Sequence, residues 1–143
     1  SRLARRVLGM QVISALFVED FNMRQVDGPS TRLDLTGVMF SLLAPSPPPV
    51  TIEPHLVALI HCRPDEAGAG VFEVIVTADS DPKAEAEQIA RNVSPFQVEP
   101  GKFTYRLVRA ELPFDEYSTV FAHCRVDRGP LTVVPFTLLP PAE

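Results

Sequence analysis

Apolar and polar positions alternate with the period of a β-strand along most of this chain, and clusters of Pro, Gly, Asp and Ser break the alternation at short intervals. The longest such unit runs from Ile13 to Leu43, ISALFVEDFNMRQVDGPSTRLDLTGVMFSLL, two apolar runs flanking a polar turn. From Gln11 to Glu19 nearly every position is apolar, which suits a central strand covered on both faces. Asp27-Gly28-Pro29-Ser30 joins a φ-permissive glycine to a proline that presets the next φ, so the unit reads as a long β-hairpin. On its return strand Leu33, Leu35, Val38 and Phe40 are expected to face inward. Gly37 breaks the alternation and predicts a bulge or a close backbone approach.

Residues 44–54, APSPPPVTIEP, hold five prolines and cannot donate to a central ladder, so they predict a stiff connection crossing from one sheet to the other. HLVALIHCR (55–63) and VFEVIVTAD (71–79), joined by PDEAGAG, are expected to form a hairpin whose second strand has one wet side. DPKAEAEQIARN predicts at most one helical turn, with Asp81 as its cap and Pro82 following, then an extended edge strand broken at Pro95. KFTYRLVRAEL, EYSTVFAHCRV and PLTVVPFTLL close the chain through two compact antiparallel connections. The expectation is an all-β fold: an antiparallel β-sandwich, immunoglobulin-like or C2-like, of about eight or nine strands. Residues 11–140 are expected to form its single domain, and residues 1–10 are a basic N-terminal extension that reads either as foreign to the native chain or the product of an upstream start, or as a segment that docks a partner groove or an acidic surface.

Composition sharpens this in three ways. At 143 residues the chain can bury a core without staples, and 15 Pro beside 7 Gly argues against long helices. Residues 11–143 carry 10 basic against 18 acidic side chains, a balance that disfavours a phosphate backbone as partner, so no nucleic acid is expected. No apolar run approaches the ~20 residues of a membrane span, and a cytoplasmic location is expected. The cytoplasm is also a reducing compartment.

Two His-Cys-Arg triplets, His61-Cys62-Arg63 and His123-Cys124-Arg125, are the most specific-looking chemistry. Neighbouring residues of a strand point to opposite faces, so one triplet cannot aim both His and Cys at a single ion, and no metal or other cofactor is expected. Leu56, Ala58, Ile60 and Cys62 share one face, as do Val120, Ala122, Cys124 and Val126, and both thiols read as core. An inter-sheet redox pair, Cys62 with Cys124, is the alternative to two reduced thiols. By the same parity His61, Arg63, His123 and Arg125 point away from the core, and would form a basic surface patch if their strands were neighbours. Asp65-Glu66 and Asp79-Ser80-Asp81 terminate opposite ends of one strand, so a calcium site is not expected. No phosphate loop, nucleophile elbow or zincin motif is present. An enzyme ranks third, resting on Glu19 and Asp20 beside Asp34.

The DG turn at Asp27-Gly28, the Leu35-Thr36-Gly37-Val38 passage and the Leu112-Pro113-Phe114 passage resemble a group of small bacterial β-sandwich proteins, frequent in actinobacteria and classed as a domain of unknown function. The resemblance spans Ile13 to Leu138 and implies a compact sandwich with no catalytic residues to carry over. The 79–88 insertion and the two His-Cys pairs depart from it. Together these readings point to a non-enzymatic protein acting through protein contacts, by self-association or as an adaptor, with a small-ligand or ion-binding module as the alternative.

Overall fold

The computed structural model describes residues 10–26 and 31–142, so the Asp27-Gly28-Pro29-Ser30 turn and nearly all of the N-terminal extension lie outside the described residues. Eleven strands and no helix are found there: β1 (Met10–Gln25), β2 (Thr31–Met39), β3 (Ser41–Leu43), β4 (Val50–Ile52), β5 (His55–Cys62), β6 (Ala69–Thr77), β7 (Ala90–Gln97), β8 (Phe103–Arg109), β9 (Leu112–Phe114), β10 (Thr119–Val126) and β11 (Thr132–Leu139). They assemble into a four-stranded sheet, β2-β1-β5-β8, a five-stranded sheet, β3-β11-β10-β6-β7, and a two-stranded ribbon, β4-β9. The fold is all-β and sandwich-like. Inward positions of both large sheets meet in one core, in which Phe17 of β1 packs edge-on against Phe136 of β11 with ring centroids 5.1 Å apart. The ribbon closes one end with Ile52, Leu112 and Phe114, all buried.

Pairing corrects three expectations. The runs before and after PDEAGAG are not a hairpin: β5 lies between β1 and β8, whereas β6 lies between β10 and β7 in the other sheet. Likewise β8 and β10 belong to different sheets, and Leu112–Phe114 between them pairs with β4. Alternation within a strand sets which side chains are buried but carries no information on which strand lies alongside, so adjacency in the chain does not imply adjacency in a sheet. Val38 and Phe40 are exposed, and Met39, opposite Phe17, packs on the core instead. The β1–β2 pairing runs through Gly37 without a register shift, so the alternation never slips there. Gly37 instead marks a close approach at φ +66°, where a Cβ would fall 2.6 Å from Glu19 Cδ. The bulge in this sheet lies on the other side of β1, between Val12 and Ser14.

The prolines within strands sit where a missing N–H is harmless. The bond from Val98 N–H to the Gly68 carbonyl, 2.8 Å and in register with the β6–β7 pairing, turns the even-numbered backbone groups of β7 toward β6. Pro95 therefore faces the free edge, and β7 continues through it instead of breaking there. Pro135 faces the side of β11 on which β3 pairs only with Thr137 to Leu139. In the 78–89 segment, Ala84 N–H bonds the Asp81 carbonyl at 3.1 Å and Lys83 N–H bonds Asp81 Oδ1 at 2.9 Å, the single turn that the sequence predicts.

Candidate interaction face

The two triplets obey the predicted parity but do not come together. Cys62 and its neighbours Leu56, Ala58 and Ile60 are all fully buried, as are Cys124, Val120, Ala122 and Val126 to within 3 %. Their strands, β5 and β10, lie in opposite sheets, so His61 and Arg63 sit on one side of the molecule and His123 and Arg125 on the other. The single basic patch is not formed. Arg63 pairs with Asp65, and His61 lies in the row Gln11-His61-Phe103 across the outer face of the four-stranded sheet.

His123 is not solvated: it is 5 % exposed. It packs on the outer side of the five-stranded sheet against the segment after β6, with Nε2 3.0 Å from the Asp79 carbonyl and 3.2 Å from Thr77 Oγ1. A carbonyl only accepts, so Nε2 carries the proton, and Nδ1 is buried without a partner. Alternation cannot foresee this cover, because it comes from a loop. Next to it Arg125 Nε bonds Glu73 Oε1 at 3.0 Å, and Arg91 Nη2 bonds Glu73 Oε2 at 2.9 Å. Burial pushes the Glu73 carboxyl up, but the two arginine hydrogen bonds outweigh it and hold the pKa below the ordinary range.

Both cysteines are free thiols. Burial pushes Cys124 up to about 12, which removes it from thiolate chemistry at neutral pH. Cys62 Sγ points at the carbonyls of Arg63, Glu66 and Ala67. Glu19 and Asp20 do not join Asp34, which accepts both side-chain hydrogen bonds of Arg24. Among the described residues no group of three His, Cys, Asp or Glu is placed to hold a metal.

Apolar side chains instead collect on the outer face of the four-stranded sheet. Pairing aligns the rows Gln11-His61-Phe103, Ser14-Leu59-Tyr105 and Leu16-Val57-Leu107 there. Phe103 is 65 % exposed and the bulged Ile13 56 %. The long β1–β2 hairpin folds back over part of this face. Phe17 faces the core, yet Phe21 meets His55 on the outer side at 5.8 Å, and Met23 Sδ lies against the Tyr105 hydroxyl. The reversal occurs where Gly37 adopts positive φ opposite Glu19. Beneath this arm Val57 is only 2 % exposed.

Beside β8 runs a second feature, a cleft of about 500 Å³ at the side of the sandwich where β7 and β8 end their sheets. Val74, Val76 and Val108 form its apolar floor, with Arg91, Asn92 and Arg109 at its rim. Arg106 Nη1 reaches from β8 to the Pro95 carbonyl on β7 at 3.2 Å. No helix of the described residues is long and apolar enough to cross a membrane. Among known proteins, no family model and no curated protein matches this chain.

Proposed function

We propose that this protein is an immunoglobulin-like β-sandwich that works through protein contacts and not through catalysis, with the outer face and β8 edge of the four-stranded sheet as its contact surface. The immunoglobulin-like type, over the C2-like one, is supported by strand order. β1-β5-β8 against β11-β10-β6-β7 follows the A-B-E against G-F-C-C′ pattern of that fold, and the thiols occupy its B and F strands. The observation that carries the functional reading is Phe103: a large aromatic, 65 % exposed, on a strand that ends its sheet. The test compares affinity recovery from native lysate by the parent chain, Phe103→Lys and Val93→Lys, the last an equally tolerant site on the β7 edge. Association that is lost in Phe103→Lys alone supports the reading. Association equal in all three, or absent from all three, contradicts it.

The cleft beside β8 favours a second reading, a small-ligand module. Its volume lies within the ~300–1,000 Å³ range of ligand sites, and its apolar floor suits a short hydrocarbon chain whose carboxylate competes with Glu53, the present ion-pair partner of Arg109. Thermal shift with octanoate tests it: a rise in Tm that Arg109→Ala removes supports the module, and a flat response rejects it.

A further inference from the structure

The free edge of β8 is specific enough to name a partner, an inference that rests on the protein-contact reading. At one end of β8 Cys62 N–H donates to the Lys102 carbonyl at 2.9 Å, and at the other Ala110 N–H donates to the Pro54 carbonyl at 3.0 Å. Between these fixed ends the backbone groups of Thr104, Arg106 and Val108 turn toward β5. Those of Phe103, Tyr105 and Leu107 turn away from the sheet, where no described strand meets them. We propose that β8 pairs with β8 of a second copy of this chain, antiparallel about a two-fold axis at Tyr105.

The register follows from the side chains. Hydrogen bonds form only where outward-turned residues oppose one another. Setting Tyr105 opposite Leu107 brings Arg106 against Arg106, and setting Phe103 opposite Tyr105 brings Lys102 against Arg106, both like-charge pairs. Setting Leu107 opposite itself leaves Phe103 beyond the pairing. With Tyr105 opposite itself, Phe103 meets Leu107 on both sides of the axis and Thr104 meets Arg106, so the apolar rows of the outer face run on into the second copy. The other edges are less able to pair: β7 lacks the Pro95 donor, β3 has three residues, and positive φ at Gly37 interrupts β2. Five paired residues give a joint about 17 Å long and one sheet, about 10 Å, thick. That covers far less than the ~800 Å² per partner of a standard interface, so the dimer is reversible and its population rises with concentration.

The test uses the full chain. In a hydrogen-bonded antiparallel pair Cα atoms are ~5.5 Å apart, within disulfide reach. Tyr105→Cys is therefore expected to cross-link to itself on mild oxidation, whereas two copies of Leu107→Cys sit roughly 14 Å apart and do not. The native thiols are fully buried and do not compete. Sedimentation velocity from micromolar to millimolar should show the parent moving toward twice its mass, and Phe103→Lys should weaken association at least ten-fold with an unchanged melting curve. Phe103 is a surface residue, so this second arm decides the matter if Tyr105→Cys fails to fold. A parent monomeric at millimolar concentration, or equal cross-linking by both cysteine variants, overturns the dimer. If the parent is monomeric but recovers a different protein in a Phe103-dependent way, self-pairing falls while the protein-contact reading stands. If it recovers none, both fall.

Discussion

Glu73 is the best-held charged side chain on the five-stranded sheet, gripped by Arg91 and Arg125 from the strands on either side of β6. Its pKa is depressed on folding, so its contribution is fully present above the ordinary value of 4.5 and is lost as pH falls through the lower folded-state value. Glu73→Gln is expected to lower stability by about 1 kcal/mol at pH 7, with the deficit shrinking below pH 4.5. Urea melts across pH 3–7 check this, and a pH-independent deficit would contradict it. Cys62 and Cys124 make the second residue-scale prediction. A thiol reagent at pH 8 should find none in the native chain and two in denaturant, whereas a disulfide would give none in either. The inward parity of these thiols was legible because period-two alternation needs only local sequence. The burial of His123 was not, because its cover comes from the Asp79–Ala84 segment, which has no periodicity of its own.

The β1–β2 hairpin shows where an element can be read and where it cannot. Its length and central first strand follow from the unbroken apolar run after Met10, but its backward fold depends on one residue, Gly37, whose φ the alternation does not reveal. Gly37→Val adds a side chain where L-residues are strained and Glu19 crowds the site. It is expected to cost roughly 1–2 kcal/mol and to release Met23 from Tyr105. Loss of the Met23 methyl to Tyr105 ring contact in NMR, beside retained core contacts between Phe17 and Phe136, would show that release. An intact arm contact in the variant would contradict it.

At the scale of the molecule, the sequence supported the all-β class and the inward faces, while the strand order was out of its reach. Pairing β5 with β8 and β6 with β10 is a contact between distant stretches, and no local pattern distinguishes it from the hairpin of neighbours. The edge position of β8 is a product of that order, and no local pattern marks Phe103, Tyr105 and Leu107 as edge residues. The central claim, that this edge pairs with the same edge of a second copy, can be tested amide by amide through hydrogen exchange of the parent chain at low and high concentration. Amides of Thr104, Arg106 and Val108 should be protected throughout, and those of Phe103, Tyr105 and Leu107 should exchange fast when dilute and become protected as concentration rises. Unchanged exchange at Phe103, Tyr105 and Leu107 up to millimolar chain, or protection of all six amides in dilute solution, would contradict it.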